Sequence, residues 1–385
     1  MLSLPLGRTA FAQQYFETHI NARALGLGNA FSSLVDDEEA LFYNPAGIAK
    51  NGGIFWTLAD PRAGITDVTD LADNMDAFSD LQDAATFGTA LTGLYGEPIL
   101  ANGGAKTSVI LPFFAAAYYI DYDVGLMVEN PVSPTVTLNY IKDTGIAFGT
   151  AFPMGPFIQT GFVGRRVERE GTRAAYGPSV IADIAAGNST PDVIFDNLEN
   201  KGIGYGLDWG LNLTIPLPIQ PTISFVWKNI GNTSFSLDEG SKAPPTEKQE
   251  WVMGGSLMVD AWLVHIAPSL EFKHMNDDEG QLGKKIHLGL EVGIPFVDLR
   301  VGLHQGYLSY GVGLDVGPIT IDAASWGVEL GGYPGQLEAR QYMVQATIRL
   351  GLDFGFGSGG SGKKDGAPGS ASSRAPWRQK LKQRR

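Results

Sequence analysis

The sequence predicts an all-β protein, a transmembrane antiparallel β-barrel of about fourteen strands with short helical loop insertions, and three observations carry that reading. Apolar residues recur at every second position over stretches of nine to twelve residues, and the face opposite them is rich in glycine. No run of roughly 18 apolar residues supplies a spanning helix.

The alternation is plainest from Lys285 to Ile294, where Ile286, Leu288, Leu290, Val292 and Ile294 are apolar and the residues between them are polar or glycine. It returns from Trp262 to Lys273, from Tyr205 to Ile215, from Leu308 to Val316 and from Val344 to Phe356. A period of two is a strand period, and helical spacing does not produce it. A soluble sandwich alternates as well, but its second face is usually Lys, Thr and Glu. Here that face is glycine with scattered Asp, Asn, Glu and Arg, which suits a crowded interior, and Gly makes up 50 of 385 residues. The apolar faces carry Trp, Tyr, Phe and Leu over close to the roughly 9–11 residues that a tilted strand needs to cross a bilayer.

Segmented on these criteria, strands are expected at 53–60, 109–120, 122–138, 143–152, 155–166, 203–215 and 219–229. They continue at 250–260, 262–273, 284–294, 297–304, 307–316, 317–326 and 340–356. An even number lets the sheet close, and closure matters because lipid offers no hydrogen-bond partner to a free edge. Turns at Asp260, Pro295 and Gly317-Pro318 are short, whereas those around Pro244 and Asn276–Gly283 are longer, so the two classes belong at opposite ends with the long ones facing outward. Asp67–Tyr95 and Gly177–Lys201 read as helical insertions in loops.

Composition excludes several functions. There is no Cys, and the five His show no metal-ligand spacing, so no metal or cofactor is expected. The acidic loop Asn276-Asp277-Asp278-Glu279 lacks calcium-loop spacing. Gly26-x-Gly28 lacks a third glycine, has Phe31 in its place and follows no strand, so it is no dinucleotide fingerprint. The net charge of −13 argues against nucleic acid as a partner. Ser, His and acidic residues are scattered without a nucleophile-elbow pattern, so no enzyme is expected.

The chain divides into four parts. Residues 1–12 are signal-like, with Ala10-Phe11-Ala12-Gln13 in small-x-small form, although a basic start is missing and Arg8 interrupts the apolar part. Residues 13–52 precede the first strand, 53–356 hold the strands, and 357–385 form a flexible basic tail. The second part contains Ala22-Arg23-Ala24-Leu25-Gly26, the acidic run Asp36-Asp37-Glu38-Glu39, and Tyr43-Asn44-Pro45-Ala46-Gly47. Asn44 precedes a proline, which favours extended backbone, and its amide can satisfy free backbone groups. A helix end and turn before the first strand is an equally good local reading. The acidic run reads first as a helix N-terminus favoured by the dipole, and second as a partner for lumenal Arg300 and Arg349.

In order and spacing these residues resemble the N-terminal segment of the FadL-like outer-membrane barrels, most closely the PorV-type branch. Val226-Trp227-Lys228-Asn229-Ile230-Gly231 and His287-Leu288-Gly289-Leu290-Glu291 extend the likeness over roughly residues 20–356. The resemblance implies a bacterial outer-membrane barrel whose N-terminal segment plugs the lumen, with Asn44, Pro45 and Ala46 contributing to the plug. It implies outer-membrane lipid around the barrel. The first expectation for function is a PorV-type role, binding exported proteins or secretion-complex subunits. The alternative is FadL-like passive transport of hydrophobic small molecules.

The final strand ends on Phe354 and Phe356, as barrel strands read by assembly machinery often do, but the chain continues. The tail carries Lys363, Lys364, Arg374, Arg378, Lys380, Lys382, Arg384 and Arg385 against the single acid Asp365. With an even strand number both termini are expected in the periplasm, where this tail would meet an anionic surface or a partner.

Overall fold

A computed structural model describes residues 15, 17, 19–66, 80, 81, 83, 85–129, 132–261 and 263–353. The signal-like segment, much of the expected insertion at 67–95, Phe354, Phe356 and the basic tail lie outside the described residues.

Seventeen strand segments form one sheet, and three pairs of them are single strands broken by an irregularity, which leaves fourteen. They are β1 (Gly53–Ala59, continuing as Arg62–Thr66), β2 (Ile99–Leu111), β3 (Phe114–Glu129), β4 (Thr135–Met154) and β5 (Ile158–Tyr176). Next come β6 (Lys201–Thr214), β7 (Thr222–Lys228, continuing as Phe235–Glu239), β8 (Glu250–Ser256, continuing as Val259–Ala261) and β9 (Val264–Phe272). The ring ends with β10 (Ile286–Ile294), β11 (Val297–His304), β12 (Tyr307–Val316), β13 (Ile319–Glu329) and β14 (Glu338–Asp353). Each strand pairs antiparallel with its sequence neighbour, and β14 returns to β1 with Gly53 opposite Asp353, so the barrel is closed.

The outward faces form an apolar belt. Trp56, Phe148, Leu207, Ile223, Leu299 and Val344 are all exposed, and they lie on strands around the whole ring. Exposure of so much contiguous apolar surface is unfavourable in water and fits lipid. Short turns join β2 to β3, β4 to β5, β10 to β11 and β12 to β13 at one end, where β1 also begins and β14 finishes. Most of the connections at the other end are longer, as the turn chemistry predicts.

The expected boundaries are wrong between residues 99 and 176. The strand expected at 109–120 crosses the tight turn between β2 and β3, and that at 122–138 crosses the gap between β3 and β4. β4 has 20 residues and β5 has 19, far more than a bilayer requires. Their upper outward positions carry Lys142, Glu168 and Glu170 instead of apolar residues, so the pattern fades while the strand continues. Above the belt the outer surface of this raised wall is covered. Phe87, Leu91 and Leu94 of α2 (Phe87–Gly93) and its flank pack with Ile181 and Ile184 of α3 (Pro178–Ala185) against Leu126, Val128, Val136 and Leu138. Helix α3 and the short turns at 192–199 lie within the insertion expected at 177–201.

Candidate functional site

Fourteen strands enclose more space than inward side chains fill, since about eight strands already leave an interior that side chains can occupy. The chain fills that space itself. Residues 21–49 are buried inside the ring with the single exception of half-buried Asp36. The segment is built from α1 (Ala22–Gly26) and two 3-10 turns, Glu38–Leu41 and Pro45–Lys50. Asn21 caps α1, accepting from Arg23 N at 2.9 Å, and Asp37 caps the first 3-10 turn through Glu39 N at 3.0 Å.

Glycine on the inner faces is where this segment comes closest. A Cβ on Gly210 of β6 would lie 2.9 Å from Pro45 Cδ, and one on Gly311 of β12 would lie 2.9 Å from Gly26 Cα. The glycine excess of the sequence is therefore partly space reserved for the plug.

Asn44 has the extended backbone expected before proline, with φ −159° and ψ 107°. Its side-chain Oδ1 accepts from Ala46 N at 3.0 Å, and its side-chain amide N–H₂ donates to Ser32 O at 2.9 Å and to Asn212 Oδ1 of β6 at 2.8 Å. One side chain thereby caps a turn, joins two plug strands of chain and ties the plug to the wall. Pro45 is the first residue of that turn, and Ala46 is fully buried behind it.

Ion pairs do the rest. Arg23 donates to both oxygens of Glu291 on β10, at 3.0 and 2.9 Å. Glu291 also takes Arg300 Nε of β11 at 2.7 Å, and Arg300 reaches Asp322 at 2.8 Å and Asp298 at 3.3 Å. On the opposite side Glu38 pairs with Arg349 of β14, and Glu39 pairs with Lys106 of β2, which also holds Asp60. Both readings of the acidic run hold in part, since Asp37 caps the turn and Glu38 and Glu39 lie in its first turn. Glu38 and Glu39 are at the same time buried partners of lumenal cations; of Arg300 and Arg349, Arg349 meets the run, whereas Arg300 is occupied by Glu291, Asp298 and Asp322. Burial alone would raise the Glu39 carboxyl; Lys106 and His19 outweigh it and hold that group well below the usual carboxylate range.

His19 stacks on Phe42 at 3.7 Å, with Nε2 2.9 Å from Glu39 Oε2 and Nδ1 2.9 Å from Asp121 Oδ2 of β3. Tyr15 stacks on His274 at 3.9 Å and donates to Asp277 at 2.6 Å, so the segment begins its described course at the end of the long connections. Asp277 of the acidic loop is thus tied to the plug. The long connections also turn inward: Arg169 of β5 donates to Pro245 O at 2.9 Å, and Glu329 accepts from Gln336 N and Leu337 N at 2.9 Å each.

The upper lumen holds an apolar compartment. Leu100, Met127, Trp326, Val328 and Met343 point inward there and pack with Ala22 and Leu25 of the plug. Beside it lies a cavity of about 60 Å³, between Ile20, Leu25, Trp326 and Val328 on one side and Glu17, Asp121 and Asp123 on the other. None of these compartment residues stands out in the sequence, because inward apolar positions look like any alternating strand.

No protein-family model matches the chain, and no curated protein matches it. Among solved structures it is similar to the toluene transporter TbuX of Ralstonia pickettii, with a TM-score of 0.46, 11% identity, and coverage of 87% of this chain and 98% of that one. The CymD monoaromatic hydrocarbon channel gives a TM-score of 0.47 at 9% identity, covering 86% and 97%. The P. putida toluene transporter TodX gives 0.42 at 12% identity, covering 87% and 98%. The barrel assignment stands on the strand ladder itself, closed by the pairing of β14 with β1.

Proposed function

We propose that this chain is an outer-membrane barrel that admits small hydrophobic molecules through a lumen gated by its N-terminal segment. The observation that carries the reading is the apolar compartment of Leu100, Met127, Trp326, Val328 and Met343 on the inner wall, in contact with the gating segment. Inward apolar side chains of that size give an apolar solute a place to leave water. The gate itself is held by side-chain contacts and no strand ladder, so it can be displaced while the barrel stays closed. The long connections are assigned to the outside, and the described end of β14 to the periplasmic side.

The test is entry of N-phenyl-1-naphthylamine into asymmetric vesicles with a lipopolysaccharide outer leaflet. Faster entry than into protein-free vesicles supports the reading; equal rates overturn it.

The PorV-type role, first in the sequence expectations, takes second place. Its support is the raised wall of β3–β6 with its helical cover, a structured surface beyond the belt on which an exported protein could seat. Retention of a secreted protein by the intact barrel, lost when residues 177–200 are replaced by a short turn, is the outcome it requires.

A further inference from the structure

The N-terminal segment is fastened at its outer end as well as along the wall, and Tyr15 is the fastening. Its ring lines the cavity of about 60 Å³ together with Glu17, Ile20, Trp326 and Val328, and the same ring meets the connection from β9 to β10. That connection wraps the phenol. His274 stacks on it at 3.9 Å, Asp277 Oδ2 accepts from its hydroxyl at 2.6 Å, and Lys284 Nζ lies 5.8 Å from its centroid. A Cβ on Gly280 would overlap the Tyr15 hydroxyl, so the loop passes close over the tip of the ring. Burial alone would raise the Asp277 carboxyl; the hydrogen bonds from Tyr15 and from Glu279 N outweigh it and hold that group below the usual carboxylate range. The acceptor is therefore ionised, and a charge-assisted bond of this kind is roughly twice as strong as a neutral one.

The connection is in turn fastened to the one from β13 to β14. Lys284, 2% exposed, donates to Gly331 O at 2.9 Å. A Cβ on Gly283 would lie 2.7 Å from Pro334 Cγ and one on Gly306 2.8 Å from Pro334 Cβ, so Pro334 is seated between two glycines. On the inner side Glu17, two residues along from Tyr15, accepts from Lys273 Nζ at 3.0 Å and from Asn29 of the plug. Two loops, one ring and the plug thus make a continuous set of contacts. The links from Tyr15 to the loop all run through its side chain, so they can part while every strand pairing of the barrel stays intact.

We propose that Tyr15 is the latch of an outer lid: residues 273–285 and 330–337 close over the cavity, and lid and N-terminal segment open together when the ring leaves its seat. The inference rests on the transport reading and adds how the gate is held. A solute arriving from outside reaches the cavity only after the ring has moved.

The chain has no Cys, so a Tyr15→Cys, Asp277→Cys double variant is tied by hexanediyl bismethanethiosulfonate at those two positions alone and released by reductant. The full chain, checked for the heat-modifiable barrel, is read in two ways: entry of N-phenyl-1-naphthylamine into the asymmetric vesicles, and hydrogen-exchange protection of residues 21–49. Untied, the variant lacks the Tyr15 bond, and entry is expected to exceed that of the wild type about three- to tenfold. Tied, entry is expected to fall to the protein-free rate and protection to rise about tenfold over the untied state, with reductant reversing both. Entry and protection both unchanged by the tie overturn the latch and leave the transport reading standing, provided the wild type admits the probe. Entry stopped with protection unchanged overturns the joint opening. Protection that rises on tying, with no entry in any state, supports the latch and sinks the transport reading. Tyr15→Phe keeps the stack and removes only the bond; wild-type entry and protection in that variant overturn the inference even if the double variant does not fold.

Discussion

Arg23 of the plug grips both carboxylate oxygens of Glu291, a residue 268 positions away on the barrel wall. Because Glu291 is shared with Arg300, the two partners are not equivalent. In Arg23→Met, Glu291 keeps Arg300. In Glu291→Gln, Arg23 is left with Asp36 and Asp37 at 3.8 and 3.9 Å, and Arg300 loses its shortest contact. Breaking a buried pair by removing one partner costs roughly 3–5 kcal/mol. Glu291→Gln is therefore expected to loosen the plug more than Arg23→Met, measured by hydrogen exchange of residues 21–49 in the folded barrel. The reverse order contradicts the shared-carboxylate arrangement.

Asn44→Ala removes a cap, one bond within the plug and one wall contact, which together are worth about 2–3 kcal/mol of plug seating. Asn44→Asp keeps the cap acceptor but turns an oxygen toward the Ser32 carbonyl, which needs a donor. It is expected to be the worse of the two by the same exchange measurement, and a silent Asn44→Asp would argue against the assigned bonds.

Glycines of one strand type divide by face. Gly210→Val places side-chain atoms against Pro45, whereas Gly164→Val on β5 meets nothing within 4 Å. Both variants should form a heat-modifiable barrel. Only the first should conduct ions in a planar bilayer, because the plug can no longer seat.

Seating also depends on pH. Burial raises the Asp36 carboxyl to about 7, against partial relief by Arg23, and burial lowers the Lys50 amine to about 8. A carboxyl raised in the seated state favours seating below its unseated value of about 3.8 and loses that advantage as pH rises to about 7. An amine lowered in the seated state disfavours seating below about 8 and regains it toward 10.5. Glu39 acts only at lower pH, since its carboxyl is already held well below the usual range. Protection of the plug amides, taken relative to their intrinsic exchange rate at each pH, is expected to be weaker at pH 7.5 than at pH 5, and stronger protection at pH 7.5 would contradict this.

The barrel class and strand number can be read from alternation, because lipid selects apolar residues on the outward positions of β9 to β14 within the belt. The register of β2 to β5 cannot, because those strands outgrow the bilayer and their outward positions change partner from lipid to water and to helix α3. The proline after Asn44 marks its backbone in the sequence, but Ser32 and Asn212 as its partners are set only by closure. The Arg23–Glu291 and Glu39–Lys106 pairs are equally invisible, being joined across the lumen by residues that look like ordinary polar positions of alternating strands.

The central claim is that the N-terminal segment, and nothing covalent or laddered, closes a wide barrel. Planar-bilayer conductance of the full chain against a variant lacking residues 15–50, both checked for the heat-modifiable barrel, tests it most directly. A silent full chain and large stable steps in the deletion are the predicted result. Equal conductance of the two, whether open or closed, would contradict it.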